Sequence, residues 1–396
     1  MADGASFISK DARAQLGQIT LVLQGGGALG AYQGGVYQAL CERGLEPDWI
    51  IGTSIGAING GLIAGNPPGK RVEALRDFWR RVEQTAPPTP SLPLGWVLAG
   101  NPFASADTVS AVLSGIPGFF EPNIASLVGG PQARLGPGNA SYYSTAPLKK
   151  TLTGLIDLKQ LNSQAPRLMV GAANVHLGTM KYFDSRHMWL GLEHVLASGA
   201  LPPSFPAVMA DGAYFWDGGI LSNTPIEAVF SDLNRKSGVV FSVEVWHRKG
   251  PDPDSIFEVL KREKDIQYSS RLETQIEQQK EMHRLRHIIM ELAAHLPEEK
   301  LQDANVQDCM SYGCATEMHV ILLQAPALDD ETYLKDIDFS AQGIRTRWQA
   351  GYDHTIAAVD REPWRTPTDP LEGVKIHRYP PEPSEVSAGL QSPAAR

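Results

Sequence analysis

Gln18-Ile19-Thr20-Leu21-Val22-Leu23-Gln24-Gly25-Gly26-Gly27-Ala28-Leu29-Gly30 is an apolar run that breaks into a glycine loop. A segment with Tyr32, Val36, Ala39 and Leu40 at helical spacing follows, until Gly44 stops it. Trp49-Ile50-Ile51 then repeats the pattern, running into Gly52-Thr53-Ser54-Ile55-Gly56 and a helix that carries Ile55, Ile58, Leu62 and Ile63. Strand, helix, strand, helix in so short a stretch is the opening of a parallel α/β sheet.

Outward from there, residues 71–83 read as a charged helix, and residues 84–139 as a Pro-rich and Gly-rich stretch longer than an ordinary connection. Its apolar residues Trp96, Val97, Leu98, Phe103, Phe119 and Phe120 suit a lid over something apolar, or equally plugs in the main core. The prolines at 87, 88, 90, 93, 102 and 117 bar the nearly uncharged run 84–120 from being a membrane-spanning helix. Residues 168–175 and 180–183 read as adjacent strands, and a short helix over 193–200 stops at Leu201-Pro202-Pro203. Ala213-Tyr214-Phe215-Trp216 leads into Asp217-Gly218-Gly219, and Thr224-Pro225-Ile226-Glu227 has the form of a capping box. Two further strands are expected at 239–246 and 320–323. Between them, 261–296 predicts a long amphipathic helix that packs Ile266, Leu272, Ile276, Met282, Leu285, Ile289 and Leu292 on the core. Trp348, Tyr352 and Ile356, four apart, read as the packed face of another helix. No internal repeat is present.

The 396 residues are 42% hydrophobic and 20% charged, enough to bury a large core and far from the signature of disorder. A net charge of -9 supplies no positive field to draw nucleic acid, which argues against a nucleic-acid partner. Cys41, Cys309 and Cys314 are too few and too scattered for a disulfide scaffold or a zinc module. The first residues lack a basic stretch followed by an apolar one, so a secretory signal is not read there, and a reducing cytoplasm is expected.

The loop matches G-x-G-x-x-G as Gly25, Gly27 and Gly30, and its N–H groups should converge on an anion at a helix N-terminus. A dinucleotide site would also need an acid at the C-terminal end of the second strand. Glu46 and Asp48 precede that strand, and Gly52-Thr53-Ser54 ends it. No Gly-Lys-Ser or Gly-Lys-Thr follows the loop, so a P-loop fails as well. Gly52-Thr53-Ser54-Ile55-Gly56 is G-x-S-x-G where a strand turns into a helix, the setting of a nucleophile elbow. His247, His319 and His354 could serve a Ser-His-Asp hydrolase, but that fold places its oxyanion loop after a third strand and its elbow later.

Four blocks in order give a sharper reading: Gly25-Gly26-Gly27-Ala28-Leu29-Gly30, Gly52-Thr53-Ser54-Ile55-Gly56, Ala197-Ser198-Gly199-Ala200-Leu201-Pro202-Pro203-Ser204-Phe205-Pro206, and Asp217-Gly218-Gly219 with Asn223-Thr224-Pro225. Over about residues 18–250 the chain resembles the patatin-like phospholipase family of bacterial lipid acyl hydrolases. Lys335-Asp336-Ile337-Asp338-Phe339-Ser340 and Arg345-Thr346-Arg347-Trp348-Gln349-Ala350-Gly351-Tyr352 resemble a C-terminal extension seen in some bacterial patatin-like proteins.

The resemblance implies a three-layer α/β sandwich with a mainly parallel central sheet flanked by helices. It implies a Ser-Asp dyad, Ser54 as nucleophile and Asp217 as base, with an oxyanion hole from the N–H groups of Gly25, Gly26 and Gly27, mainly the last two. Gly30, Gly52, Gly56, Gly218, Gly219 and Asn223 support the motifs. No metal or cofactor is called for. The substrate is expected to be a lipid or other acyl ester, met in the cytoplasm or at the periphery of a membrane. Storage polyester oligomers, or a nucleotide on the Gly25–Gly30 loop, are the alternatives. The implied divisions are a lead at 1–17, a catalytic domain at 18–250 with an insert at 84–140, a helical extension at 251–362 packed on the core, and a Pro-rich disordered tail at 363–396. Many family members carry Arg or Lys where this chain has Leu29, which leaves a preference for phosphate-bearing headgroups open.

Overall fold

The computed structural model describes residues 7–84, 114–328 and 331–380. Its strands, in chain order, are β1 (Gln18–Leu23), β2 (Trp49–Thr53), β3 (Glu121–Pro122), β4 (Tyr143–Ser144), β5 (Arg167–Asn174), β6 (Met180–Asp184), β7 (Val208–Ala210), β8 (Ala213–Asp217), β9 (Gly238–Glu244), β10 (Met318–Gln324) and β11 (Val374–Tyr379). Nine of the described strands form one sheet in the order β11-β10-β9-β1-β2-β5-β8-β7, with β6 also on β5. Neighbours from β11 through β5 are parallel, and β6, β8 and β7 are antiparallel additions. β3 and β4 make a separate small ribbon.

The apolar runs form central strands because both faces of this sheet are covered, so residues pointing either way meet hydrocarbon. Ile19, Leu21 and Leu23 of β1 enter one core layer and Val22 the other. Helices α2 (Ala31–Glu42), α3 (Ile55–Ala64) and α4 (Arg71–Arg81) cover the first face together with the helix Ala341–Val359; α1 (Lys10–Gln15) precedes β1. The helices Glu227–Ser231 and Ile256–Ala294 cover the second face. This is the expected α/β sandwich of three layers.

Four local expectations need correction or completion. The helix Ile256–Ala294 does bury Leu272 and Ile276, but Ile266, Met282, Leu285 and Leu292 are exposed. The buried stripe instead runs through Asp265, Ser269, Leu272, Ile276, His283 and His287. Its polar members have partners: Asp265 binds Lys335 at 2.8 Å, Ser269 donates to the Asp265 carbonyl, and both histidines lie 2.9 Å from the Thr316 carbonyl. Apolar periodicity cannot register a face of satisfied polar groups. The capping box at Thr224 does not form, because Thr224 Oγ1 accepts a 2.6 Å bond from Gln24 and the Glu227 carboxylate accepts from the Tyr182 hydroxyl. Residues 374–379, expected within a disordered tail, form the edge strand β11, whose backbone pairs with β10 while Val374 and Ile376 pack on the second core layer. Trp348 packs against Gly34 and donates to Gln38 at 2.8 Å, but the most buried line of its helix runs through Gly351 and Thr355.

Of the expected lid, residues 85–113, with Trp96, Val97, Leu98 and Phe103, lie outside the described residues, as does the tail beyond 380. Phe119 and Phe120 are buried.

Candidate active site

β2 runs along one edge of β5 and ends with Thr53 opposite Gly171. β6 takes the other edge, so β8 must approach along the same edge as β2 from the opposite direction, ending with Asp217 opposite Ala172. The ends of β2 and β8 therefore meet, and Ser54 is brought to Asp217.

Ser54 sits at the start of α3 with φ 57° and ψ -125°, a conformation that costs a non-glycine residue on the order of 1–3 kcal/mol and that the surroundings must enforce. Its N–H donates to Ser198 at the carbonyl (3.1 Å) and at Oγ (3.0 Å), and the Ser198 hydroxyl donates to the Gly171 carbonyl at 2.6 Å. The helix leaves the turn so close to the strands that a Cβ on Gly52 would lie 2.4 Å from the Gly56 carbonyl, and one on Gly56 2.2 Å from the Leu23 carbonyl oxygen. Gly56→Ala is therefore expected to lower stability by about 1–3 kcal/mol or more, read by denaturant unfolding, together with lost activity.

Asp217 is buried, and its Oδ1 accepts the Gly219 N–H at 2.7 Å. Burial lifts its pKa to about 7 against the opposing pull of the Ser54 hydroxyl and the Gly219 N–H. Gly218 lies against the Gly171 carbonyl, which seats the turn after Asp217 on β5.

The glycine loop is clamped from beneath. Gly25 N–H donates to the Asn223 carbonyl (3.0 Å), and the Gly25 carbonyl accepts from Asn223 Nδ2 (3.1 Å) and Trp246 Nε1 (2.8 Å). Buried Gln24 accepts from the N–H groups of Val245 (2.6 Å) and Trp246 (3.1 Å), and Asn59 donates to the Gly30 carbonyl at 3.0 Å. Gly27, at φ 55°, passes so close to Asp336 that a side chain there is barred. Among the described residues, no acceptor takes the N–H of Gly26 or Gly27, whereas Gly25 has spent its own on Asn223. Of the three expected donors, Gly26 and Gly27 therefore keep their N–H groups unpaired among the described residues, whereas Gly25 is a fixed point of the loop. Leu29 is 3% exposed within the apolar core, so its position has no room for a solvated cation.

Ser54, Asp217 and Gly25–Gly27 line a cavity of about 410 Å³. Phe119, Phe120, Phe205 and Phe339 form one aromatic wall, with ring centroids 5.4–6.2 Å apart where they touch. None of His247, His319 and His354 lines it: His247 faces the Ala325 carbonyl, His319 pairs with His377, and His354 meets Tyr32. Sequence reasoning missed Gln24, Asn59, Trp246 and Tyr268, which hold or line the site from separate elements. Only Gln24, a polar residue between an apolar strand and the loop, carries a local signal.

The sequence model of the patatin-like phospholipase family matches residues 21–230, and a second model, described as patatin phospholipase, matches residues 266–371. Over 78 residues the chain is 46% identical to patatin-like phospholipase domain-containing protein ZK370.4 of Caenorhabditis elegans and 51% identical to patatin-like phospholipase domain-containing protein 7 of Rattus norvegicus. Each match covers 19% of this chain but 6% of the other, so the chain spans a small part of these curated relatives. Among solved structures, VipD from Legionella pneumophila is similar with a TM-score of 0.36 and 17% identity over 87% of this chain and 67% of that one. No described helix is long and apolar enough to cross a membrane. With the family matched over more than half its length, on the segment that holds both Ser54 and Asp217, the chain belongs to the patatin-like phospholipase family.

Proposed function

We propose that the protein is a serine lipid acyl hydrolase of the phospholipase A or esterase type, working through an acyl-Ser54 intermediate with Asp217 as its base. The observation that carries this reading is a serine on a strained elbow, set against a buried carboxylate at the wall of an apolar cavity. Ser54 Oγ attacks the ester carbonyl as Asp217 takes its proton, and the N–H groups of Gly26 and Gly27 receive the oxyanion. Asp217 then protonates the leaving alkoxide. Water, deprotonated by the same carboxylate, attacks the acyl-enzyme, and Asp217 then passes that proton to Ser54 Oγ as the fatty acid leaves. A pKa near 7 suits a group that must both accept and return a proton.

The aromatic wall supports a long acyl chain. Purified protein is expected to release fatty acid from phosphatidylcholine and to prefer long p-nitrophenyl esters to short ones. Turnover of hydroxyalkanoate oligomers in preference to both would support the storage-polyester reading, and turnover of no ester would defeat the proposal. A nucleotide on the loop lacks the ribose-binding carboxylate that the end of β2 would need, since Thr53 and Ser54 stand there.

Contact with a lipid surface is supported by the helix Ile124–Gly129, whose Ile124, Leu127 and Val128 are exposed. The chain beside it is tied to the cavity rim: Asn123 N–H bonds the Tyr142 carbonyl, and the N–H groups of Tyr142 and Tyr143 bond the carbonyls of Pro203 and Ser204. The pair Leu127→Asp and Val128→Asp is expected to lower turnover of vesicle phospholipid by about tenfold or more, given the burial energy of two such side chains. A monomeric ester assayed in parallel should be far less affected.

A further inference from the structure

Besides Asp217, only two charged side chains line the cavity among the described residues: Lys264, from the helix Ile256–Ala294, and Asp336, from the turn Lys335–Ile337. Lys264 Nζ lies 2.8 and 3.1 Å from the two carboxylate oxygens of Asp336, and both side chains keep part of their surface open, 27% and 19%. They stand beside the reacting centre. The Asp336 carbonyl packs on Gly27, whose N–H is a free donor, and Tyr268, four residues after Lys264, accepts a 3.1 Å bond from Asn223 at its carbonyl while its ring lies 4.9 Å from that of Trp246.

The plain reading is that this ion pair ties the turn to the helix. A more buried bond already does so, and the helix Ala341–Val359 holds the chain just after the turn. Lys335, 1% exposed, holds Asp265 at 2.8 Å, and Arg347 donates to the Asp338 carbonyl at 3.1 Å. A partly open pair such as Lys264–Asp336 adds little to stability, because solvent screens it and ordering two side chains offsets the attraction. Its distinguishing property is its position, a pair of opposite charges in a cavity wall that is otherwise largely apolar.

We propose that Lys264 and Asp336 form the headgroup subsite of the enzyme and select zwitterionic phospholipids, with Lys264 taking a phosphate oxygen and Asp336 the headgroup ammonium. This rests on the lipid-ester reading of the site and deepens it. A zwitterion can satisfy both charges at once. It thereby replaces the bond these two charges make to each other, whereas an uncharged ester offers nothing in exchange for that bond and an anionic headgroup without a cation meets the Asp336 carboxylate with repulsion. The subsite comes from the part of the chain beyond Asp217, so that part completes the cavity and is more than a support for the sheet.

The test uses the full chain and mixed detergent micelles containing phosphatidylcholine, phosphatidylglycerol or diacylglycerol, with kcat/KM measured for wild type, Lys264→Met, Lys264→Arg, Asp336→Asn and Ser54→Ala. Lys264→Met is expected to cut the phosphatidylcholine-to-diacylglycerol ratio by about tenfold or more, the scale of a lost charge-assisted hydrogen bond, with partial recovery in Lys264→Arg. Asp336→Asn should move preference from phosphatidylcholine toward phosphatidylglycerol. An equal fall on all three lipids, or an unchanged ratio, would overturn the headgroup subsite. Wild-type turnover of diacylglycerol without either phospholipid would overturn it too, while leaving the serine hydrolase standing. Undiminished activity in Ser54→Ala would instead remove the reading beneath it.

Discussion

Ser54→Ala is expected to lower kcat/KM on every ester the protein turns over by about 10⁴-fold or more, the scale seen when a nucleophile is removed from a serine hydrolase. The substitution removes only Oγ and leaves the elbow, the glycine loop and the cavity as they are, so the loss should fall on kcat with little change in the melting temperature. Ser54→Gly separates chemistry from strain. At φ 57° a glycine is unstrained, so that variant should be equally inactive yet melt higher than Ser54→Ala. Melting curves and steady-state kinetics on the same preparations check both parts.

Asp217→Asn should also be inactive, because an amide cannot accept the Ser54 proton, but its stability should differ from wild type in a pH-dependent way. Burial, opposed by the Ser54 hydroxyl and the Gly219 N–H, raises the Asp217 pKa from 3.8 to about 7. Between those values the folded protein holds a proton that the unfolded chain releases, so unfolding becomes easier as pH rises. The loss begins near the unfolded value and is complete above about 7. Asp217→Asn carries no such charge, and is expected to exceed wild type by a few kcal/mol at pH 8, with the advantage shrinking toward pH 4. Activity runs the other way. Only the carboxylate accepts a proton, so wild-type kcat/KM should climb with pH through about 7. Denaturant unfolding at several pH values and a pH–rate profile test the two halves separately.

What the sequence discloses follows from what is local. Strands buried on both faces read as apolar runs, and glycines at which any Cβ would lie within 2.2–2.4 Å of a neighbouring carbonyl are visible as letters, so β1, the loop, β2 and the elbow are legible. Ser54 and Asp217 are recognisable from their neighbours. That they meet is not, since it depends on β8 sharing an edge of β5 with β2, a pairing between distant segments. The helix Ile256–Ala294 is legible as a helix, but its inward face is not, because Asp265, His283 and His287 are buried against partners from elsewhere. β11 lies among prolines and charges, and its order comes from the edge that β10 offers. That Gly25 spends its N–H on Asn223 is likewise hidden in the sequence, because the two residues come from distant segments.

The central claim, that Ser54 becomes acylated under Asp217, is tested most directly by labelling the wild-type protein with a fluorophosphonate and mapping the adduct by peptide mass spectrometry. The predicted result is a single adduct on the peptide containing Ser54, absent in Ser54→Ala and strongly slowed in Asp217→Asn. An adduct on another residue, or undiminished labelling of Ser54→Ala, would contradict the account.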